Sequence, residues 1–442
     1  MSNEIFNNYG KKKLNIFFKN IRLVSPSQNI DETTNLWVRD GIIAHCSPVD
    51  AILDQDTEII DSDGWVAAPG FFDMHVHFRD PGQEHKENIK TGSMAAANGG
   101  FTGVCTMPNT DPAVDNIAVV EYILNRSRGS IVDVYPSGAI TQNREGKMLS
   151  PMFEMHESGA IMFTDDGTCL TDSLIMRRAF DYAKTRDLLL SQHCEDHRLT
   201  DHFAANESRI SANLGLKGYP SVAEEIMLSR DINLAEYCGN CRYHAQHIST
   251  KGAVEHIRNA KQKGLRVSAE VTPHHFSLTD EELNSYNTDL KMNPPLRTKE
   301  DIEAIVEGIK DGTIDCIASD HAPHTLHEKE VEFEHAPYGI IGLETTLGVA
   351  ITYLHLLNNI PLNRLIQCLS VNPRKILKIN DLIIKVNEPA NLTIFSINEK
   401  WFVDTNKFLS KSRNTPFKNM GLYGLPKYII NNNMLHKSIL LG

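Results

Sequence analysis

The middle of the chain alternates short apolar runs with longer stretches of helical periodicity. This alternation predicts βα units and a parallel sheet. Eight units in about 300 residues match the size of a TIM-like (β/α)8 barrel, an α/β fold, which is the fold class that the sequence predicts. The runs are GFFDMHVH, TGVCTMP, IVDVYPSGAI, AIMFTDDG, LLLSQHCED, YHAQHIST, RVSAEVTP and DCIASDHAP.

The two ends of the chain have a β pattern instead. Residues 1–65 contain short runs of β-branched and aromatic residues with a turn at Asp40 and Gly41, and a similar pattern returns after about residue 385. Two short β segments cannot each bury a face alone, so we expect them to pair into one small β-sandwich domain. The predicted organisation is residues 1–65 and 381–442 for the two parts of the sandwich and residues 66–380 for the barrel.

Composition and charge restrict the partners. The chain has 442 residues and a formal net charge of −12, with 41% apolar and 23% charged residues, which is typical of a globular protein. Its longest basic block is Lys11 to Lys13. These features argue against nucleic acid or an anionic membrane surface as a partner, although one local cation or metal would suffice for an anionic small substrate.

The N-terminal sequence favours a cytoplasmic location. Acidic and amide residues occur in MSNEIFNNYGKKKLNIFFKN where a signal peptide would have a basic segment followed by an apolar one. No stretch approaches the ~18 uninterrupted apolar residues that a membrane-spanning helix requires.

Metal-binding residue types occur where five of the eight predicted strands end. In barrel enzymes, functional side chains lie at the carboxyl ends of strands. His75 and His77 are two residues apart, so on a strand both side chains lie on the same face and can bind one cation. The other strand-end residues are Asp165 and Asp166, His193, His247 and Asp320.

Each of these residues also has a non-functional interpretation. Asp166 precedes Gly167 and fits a turn, His193 fits a buried core position, and His247 lies close to a helix start. Asp320 ends an apolar strand, where an uncompensated carboxylate is costly unless it meets a cation or hydrogen-bond donors. Their combination at one end of a barrel favours the functional interpretation.

Four His and two Asp side chains are too many for one tetrahedral metal site and suit two metals that share a carboxylate and a hydroxide. Mixed nitrogen and oxygen ligands without Cys indicate Zn²⁺ first, with Mn²⁺ or Co²⁺ as substitutes. Such a pair activates water near neutral pH and polarises a carbonyl. The sequence therefore predicts an enzyme that hydrolyses or closes an amide.

At this point the chain resembles a known family. The motifs PGFFDMHVHFRDPG, GGFTGVCTMPNTDP, FTDDG, HCED, HIST, VTPHHF, MNPPLR, SDHAPH and PYGIIGLE together resemble the bacterial type I dihydroorotases of the amidohydrolase superfamily. The resemblance is strong over about residues 60 to 380 and loose at the two β ends. It implies the reversible cyclisation of N-carbamoyl-L-aspartate to L-dihydroorotate in pyrimidine biosynthesis, with a zinc-bound hydroxide as the nucleophile.

The resemblance also implies a role for each site residue. One zinc would be held by His75, His77, Asp166 and Asp320, and the other by Asp166, His193 and His247, with Asp166 bridging the pair. Asp165 is the rival for the bridge, but the family ligand is the Asp directly before the Gly. Asp320 would also act as the catalytic proton acceptor and donor. Substrate contacts would come from His77, Arg79, Asn109, Asn293, His324 and the backbone of Tyr338 and Gly339.

Two alternatives remain open. Related hydantoinases, dihydropyrimidinases and allantoinases bridge their metals with a carboxylated Lys, and AIMFTDDG contains no Lys, which favours the dihydroorotase branch. A non-catalytic partner of aspartate transcarbamoylase would be expected to lose ligands, and all six are present here. A homodimer and association with an active transcarbamoylase are both compatible with the resemblance.

Overall fold

Parallel strands in the middle of the chain pair side by side around a ring. The computed structural model describes residues 14–440; residues 1–13, which include Lys11 to Lys13 and most of the N-terminal segment discussed above, and residues 441–442 lie outside the described residues. The ring strands are β6 (Phe71–Val76), β7 (Phe101–Thr106), β8 (Asp133–Pro136), β9 (Leu190–Gln192), β12 (Tyr243–Ala245), β13 (Val267–Val271) and β14 (Cys316–Ile317).

These strands form a three-stranded group, β6-β7-β8, and a four-stranded group, β14-β13-β12-β9. Single parallel bridges join the two groups at both ends. Phe163 bridges Gly138 on one side and Leu190 on the other, while Val76 bridges His321. The fourth apolar run thus contributes the bridging residue Phe163 rather than a regular strand.

Helices follow the strands, and local capping explains where several of them begin and end. Thr250 caps the helix Lys251–Gln262 by accepting a hydrogen bond from the Ala253 N–H. A capping box of Thr298 and Asp301 begins the helix Lys299–Asp311, and Gly312 ends it with φ +87°. The other α-helices are Ile89–Asn98, Ile117–Ser127, Met152–Glu157, Ser173–Ala183, His197–Thr200, Arg209–Leu214, Val222–Tyr237, Pro273–Ser277, Leu326–Lys329, Thr346–Val349, Leu362–Ile366 and Asn372–Leu377.

Short 3₁₀-helical and π-helical segments complete the helical elements. They are the 3₁₀ segments Pro26–Gln28, Gln142–Arg144, Lys184–Arg186, Asp280–Ser285, Thr288–Leu290 and Thr405–Lys407, and the π-helical segments Ala350–Leu357 and Gln367–Val371. A two-residue pair of strands, β10 (Ala205–Asn206) and β11 (Gly218–Tyr219), lies outside the ring.

Strands from both ends of the chain belong to one eight-stranded sheet, as the sequence predicts for the pairing of the ends. Its order is β17-β16-β15-β5-β1-β2-β3, and β4 pairs with β1. The strands are β1 (Asn15–Ser25), β2 (Ile30–Arg39), β3 (Ile42–Ser47), β4 (Glu58–Asp61), β5 (Trp65–Pro69), β15 (Leu392–Phe402), β16 (Gly421–Asn431) and β17 (Met434–Lys437).

Strand β5 joins the two halves of this sheet. It pairs in parallel with β1 and antiparallel with β15. Asp40 and Gly41, with φ +51° and +77°, form the predicted turn between β2 and β3. A separate apolar cluster lies within the sheet, where the rings of Phe18 and Tyr428 meet edge to face with centroids 5.8 Å apart.

The sheet packs on the ring through aromatic side chains. Phe395 of β15 lies with its ring centroid 5.6 Å from Phe71 of β6, which in turn contacts Phe101 at 6.3 Å. All three are buried. The start of β6 therefore packs against the terminal sheet, while its carboxyl end reaches the site. Among residues 14–440, no helix is both long and apolar enough to span a bilayer.

Candidate metal centre and its cavity

A cavity of about 220 Å³ lies at the carboxyl ends of the ring strands. All the predicted substrate residues and all the predicted metal ligands except His75 line it. His75 lies beneath it and is 1% exposed. The lining residues are His77, Arg79, Asn109, Asp166, Gly167, His193, His247, Asn293, Asp320, Ala322, His324, Tyr338 and Gly339.

The first group of donors consists of His75, His77 and Asp320, whose ligand atoms lie close enough together to hold one metal ion. His77 Nε2 lies 3.0 Å from Asp320 Oδ1, and His75 Nε2 lies 3.5 Å from the same oxygen. His77 Nδ1 faces Asn109 Oδ1 at 2.8 Å, so an Nδ1–H there can donate to the amide oxygen.

Asp166 lies between this group and a second group of donors, which consists of His193 and His247. Its Oδ1 lies 3.5 Å from His75 Nε2 and 3.8 Å from His247 Nε2, and its Oδ2 lies 3.6 Å from His77 Nε2. His193 Nδ1 lies 2.9 Å from His247 Nε2. The six predicted ligands are thus brought together, with the Asp166 carboxylate between the two groups.

Asp165 does not belong to this cluster. Its carboxylate accepts hydrogen bonds from the backbone N–H groups of Ile140 and Thr141 at 2.9 and 3.0 Å and also from the Thr141 hydroxyl. These bonds hold the Asp165 side chain against the neighbouring strand end. Of the two adjacent acids, Asp166 is the one that faces the cavity.

Two of the histidines have a carboxylate at the ring nitrogen that faces away from the rest of the cluster. The Glu270 carboxylate accepts from His75 Nδ1–H at 2.7 Å, and the Glu195 carboxylate accepts from His193 Nε2–H at 3.0 Å. When these rings are neutral, His75 Nε2 and His193 Nδ1 carry the lone pairs, and both atoms face other residues of the cluster. This pairing of a carboxylate with the far nitrogen of a ligand His is the usual arrangement around protein-bound zinc.

The cluster therefore fits divalent metal ions. His75 Nε2 and His247 Nδ1 are buried and have no hydrogen-bond partner. A lone pair that faces two carboxylate oxygens at 3.5 Å is repelled unless a cation lies between them. Burial opposes protonation, yet the carboxylates of Asp166 and Glu270 raise the pKa of His75 well above its usual value. The site thus attracts positive charge, which metal ions supply.

The pKa values of two buried carboxylates, Asp320 and Glu270, are lowered instead. Burial alone would raise the pKa of Asp320, but the neighbouring imidazoles of His77 and His75 outweigh it and lower the pKa. Burial is likewise outweighed at Glu270, where His75 and His244 lower the pKa to about 2. Both acids are therefore anions at neutral pH, as metal ligands and their supporting groups need to be.

Three of the site residues have a left-handed backbone conformation. Arg79, His247 and Asp320 have φ values of +59°, +28° and +47°, a region that side chains other than glycine seldom occupy. Each follows the end of a ring strand. Strained backbone of this kind persists where the surrounding structure fixes it, and it is common at functional sites.

Arg79 supplies the positive charge of the cavity. It is partly buried, and its Nε donates to the Pro323 carbonyl at 3.3 Å. Burial lowers the pKa of its guanidinium, while the nearby carboxylates of Asp320 and Asp166 oppose that effect. No carboxylate within residues 14–440 forms an ion pair with it. A guanidinium placed this way can bind an anionic ligand bidentately.

Asn293 and His324 line the cavity together with Arg79. Asn293 Nδ2 donates to Glu195 Oε2 at 2.8 Å, and its Oδ1 is buried without a hydrogen-bond partner. His324 Nε2–H donates to the Tyr338 carbonyl at 2.9 Å. Burial lowers the pKa of His324, so its ring is neutral.

Position 339, which lines the cavity, requires a glycine. Its φ is +119°, and a Cβ atom there would lie 2.7 Å from the Ala322 Cβ. The loop that leads to it begins with a capping box of Thr325 and Glu328. Lys329 Nζ then donates to the carbonyls of Pro337 and Gly339 at 2.9 and 3.1 Å. The loop is thereby held against the cavity.

Sequence reasoning did not single out Glu270 or Glu195. Both are buried carboxylates that support ligand histidines. A sequence signal existed for each, since Glu270 interrupts the apolar strand RVSAEVTP and Glu195 follows His193 by two residues in HCED. His275 also supports this region, because its Nε2–H donates to the Pro294 carbonyl at 3.0 Å, next to Asn293.

Known proteins resemble the chain in sequence over nearly its whole length. Residues 64–253 match the family model described as Dihydro-orotase-like. The dihydroorotase of Syntrophus aciditrophicus is 44% identical over 412 residues, which cover 93% of this chain and 96% of that protein. The dihydroorotase of Acetivibrio thermocellus is 45% identical over 422 residues, or 95% and 98% of the two chains.

Solved structures resemble it in fold. The L-hydantoinase (dihydropyrimidinase) from Arthrobacter aurescens has a TM-score of 0.84 at 24% identity, covering 97% of each chain. The dihydropyrimidinase from Brevibacillus agri has a TM-score of 0.82 at 19% identity, covering 96% of this chain and 95% of that one. At these identities the likeness is evidence for the α/β barrel fold alone.

Proposed function

The chain belongs to the dihydroorotase family, and from this premise we propose that it interconverts N-carbamoyl-L-aspartate and L-dihydroorotate with two Zn²⁺ ions. It is a cyclic amidohydrolase of pyrimidine biosynthesis. One observation carries the proposal for this substrate pair. The guanidinium of Arg79, without a carboxylate partner in the described chain, lines the same cavity as the buried His and Asp cluster.

His75, His77, Asp166 and Asp320 would hold one zinc ion, and Asp166, His193 and His247 would hold the other. When bound, the two ions supply activated water at neutral pH and polarise the carbonyl that reacts. The position of the Asp166 carboxylate between His75 Nε2 and His247 Nε2 supports a pair of ions over a single one.

Arg79 would bind the substrate carboxylate through its planar fork of donors. Asn109, which contacts His77 and lines the same cavity, would assist it, and the unused Oδ1 of Asn293 would accept a substrate N–H. His324 and the backbone of Tyr338 and Gly339 would close the other side of the ring. Together these groups orient the amide over the metal cluster.

Asp320 would move the proton. In the hydrolytic direction it accepts a proton from the attacking water and delivers it to the amide nitrogen that leaves. In the cyclising direction it takes a proton from the nitrogen as the ring closes. Its carboxylate lies 3.0 Å from His77 Nε2 and lines the cavity, so it reaches both the cluster and the substrate.

The main alternative is a cyclic amidase for hydantoin, dihydrouracil or allantoin. Two observations argue against it. No Lys lines the cavity within the described residues, so Asp166 occupies the place of a bridging carboxylated Lys. Arg79 also suits an anionic substrate better than these neutral rings.

The second alternative is a non-catalytic partner of aspartate transcarbamoylase. The cluster of six intact ligand side chains speaks against a chain that has lost catalysis. Association with an active transcarbamoylase, a homodimer and a cytoplasmic location stay predictions from the sequence.

We further infer that the ring comprises eight βα units and that the terminal sheet closes into a small β-sandwich. The complete circle of parallel pairings and bridges supports the first inference. The hydrogen bond from Ile43 N–H to the Glu388 carbonyl, which joins the two halves of the sheet, supports the second. Domain limits near residues 65 and 380 follow from both. A crystal structure with two separate closed cores would support them.

One experiment tests the function. Purified protein is assayed with L-dihydroorotate and N-carbamoyl-L-aspartate beside hydantoin, dihydrouracil and allantoin, and its metals are determined by elemental analysis. We expect turnover of the first two compounds and about two zinc ions per chain. Faster turnover of a neutral ring would favour the amidase alternative, and metal-replete protein without any turnover would favour the non-catalytic one.

A further inference from the structure

Glu195 lies between the metal cluster and the substrate side of the cavity. It is 2% exposed, and one of its oxygens, Oε2, accepts two hydrogen bonds. His193 Nε2–H donates to it at 3.0 Å, and Asn293 Nδ2 donates to it at 2.8 Å. A single atom thus contacts both a predicted zinc ligand and a predicted substrate contact.

The other oxygen of Glu195 fixes the orientation of the carboxylate. Oε1 accepts from the hydroxyl of Thr200 at 2.5 Å and lies 3.2 Å from His197 Nδ1. The far side of that imidazole, His197 Nε2, donates to the Thr168 carbonyl at 2.7 Å. Because four groups surround the carboxylate, it cannot rotate without breaking several hydrogen bonds.

The contact with His193 determines which nitrogen can bind a metal. Donation from Nε2–H to Glu195 leaves Nδ1 unprotonated, and this nitrogen faces His247 Nε2 at 2.9 Å. A carboxylate on the far nitrogen also raises the basicity of a ligand His. Without it, the His193 ring could turn or change tautomer and lose its alignment with His247.

The contact with Asn293 determines which atom the amide presents to the cavity. Glu195 binds the NH₂ group, so the Oδ1 atom is left as a buried acceptor without a partner. Loss of that contact would allow the amide to turn by 180° and present a donor instead. The substrate would then lose the hydrogen-bond acceptor that Asn293 offers.

We propose that Glu195 is a positioning residue that sets both the second zinc ligand, His193, and the substrate contact, Asn293, through one shared oxygen. The inference rests on the proposed function for its substrate part alone. It implies that zinc affinity at the second position and substrate affinity fall together when this oxygen is removed, although Glu195 itself touches neither.

Two variants of Glu195 separate the shared oxygen from the negative charge. Glu195→Ala removes the acceptor for both contacts. Glu195→Gln keeps one carbonyl oxygen that can accept from His193 and Asn293, while its NH₂ group can donate to Thr200. Glu344→Gln is the matched control, because Glu344 is equally buried but binds Asn98 and the backbone of Leu409 and Ser410 instead.

The first measurement uses Zn²⁺ alone, without substrate. Each variant is equilibrated with buffered free Zn²⁺, and bound zinc is determined by elemental analysis. We expect Glu195→Ala to require roughly 10- to 100-fold more free Zn²⁺ to fill the second position, the usual effect of losing a group that supports a ligand His. Glu195→Gln should fall between Ala and wild type, and Glu344→Gln should match wild type.

The second measurement is the KM for L-dihydroorotate at saturating Zn²⁺. We expect Glu195→Ala to raise KM by roughly fivefold, the value of one ordinary hydrogen bond, and Glu195→Gln to leave it near wild type. Asn293→Ala should raise KM as well. The double variant Glu195→Ala with Asn293→Ala should have a KM no higher than Asn293→Ala alone, because the two changes remove the same contact.

The outcomes are distinct. Unchanged zinc affinity and KM in a folded Glu195→Ala protein, with thermal unfolding as the check, would overturn the proposal. Multiplicative KM effects in the double variant would also overturn it, as would a Gln variant that is as impaired as Ala. If wild type does not turn over L-dihydroorotate, the proposed function fails, while the zinc measurement still decides the role of Glu195 at His193.

Discussion

The two sides of the cavity differ in the atoms that they leave unsatisfied. We call the six predicted ligand residues the metal floor: His75, His77, Asp166, His193, His247 and Asp320. We call the other residues with predicted substrate contacts the substrate wall: Arg79, Asn109, Asn293, His324, Tyr338 and Gly339. On the floor, nitrogen lone pairs and carboxylate oxygens face one another and need a cation. On the wall, the Arg79 guanidinium lines the cavity and suits an anion, whereas the buried Asn293 Oδ1 is an acceptor that needs an N–H or O–H donor.

The floor and the wall also differ in the contacts that fix their residues in place. Floor residues follow directly from ring strands, and buried carboxylates behind them fix their rings. Wall residues lie on loops that other loops support, such as the segment from Thr325 to Gly339 held by Lys329. The floor therefore depends on charge and alignment, whereas the wall depends on shape. Changes to the floor should therefore reduce turnover more than changes to the wall.

The largest expected effect is that of Asp320→Asn. Asn keeps the shape and one oxygen that can bind a metal, but it cannot accept the proton. Zinc should largely remain bound while kcat falls by ~10³ to 10⁴-fold, the upper part of the range for general acid-base groups. Elemental analysis and steady-state kinetics on the same sample check both parts.

Asp165→Asn is the matched control for Asp320→Asn, since the Asp165 carboxylate is also buried but binds backbone N–H groups outside the cluster. It should keep both zinc ions and most of its turnover. If Asp320→Asn kept near-normal kcat with two zinc ions, the proton role would have to be transferred to another residue, with His324 as the next candidate.

On the wall, Arg79→Lys should have the next largest effect. A planar fork is replaced by a point charge, so one charge-assisted hydrogen bond of about 1.5 to 3 kcal/mol is lost. This corresponds to a fall in kcat/KM of roughly 10- to 150-fold for L-dihydroorotate, mostly through KM. Zinc content should be unchanged. An unaltered kcat/KM would mean that Arg79 does not bind the substrate carboxylate.

Gly339→Ala tests the claim that the wall depends on shape. The new methyl group would meet the Ala322 Cβ at 2.7 Å. Overpacking of this kind costs about 1 to 3 kcal/mol, so we expect KM to rise by several-fold with little change in zinc content. Gly215→Ala is the control, since Gly215 also has a positive φ of +70° but has no atom within 4 Å of the added Cβ. Equal kinetic effects of the two variants would contradict the steric explanation.

The smallest kinetic effect should come from the interface between the ring and the terminal sheet. Phe395→Ala removes a buried ring that packs on Phe71, so the free energy of unfolding should fall by about 3 to 5 kcal/mol. KM should stay near wild type, because the change lies at the opposite end of strand β6 from the cavity. Phe402→Ala on the same strand, 64% exposed, should change stability by less than about 0.5 kcal/mol. A large rise in KM for Phe395→Ala would show that the sheet controls the site.

Much of the metal floor could be predicted from local sequence because strands and helices impose short periods. The spacing of His75 and His77 places both rings on one face of a strand, and the apolar runs place His193, His247 and Asp320 at strand ends. The wall could not be predicted in the same way. Arg79, Asn109 and Asn293 lie in turns and loops, where no period relates a residue to a direction, and only the family resemblance suggested them.

The sequence by itself determined the alternation of strands and helices, the pairing of the two β ends and the placement of His and Asp side chains at the strand ends, because these depend on burial patterns over a few residues. Tertiary structure alone decided which of two adjacent acids, Asp165 or Asp166, faces the cavity. It also decided that Glu270, 195 residues from His75, and Glu195, 98 residues from Asn293, provide the supporting hydrogen bonds. A hydrogen bond between residues so far apart in the chain depends on how whole elements pack, and no local pattern encodes that.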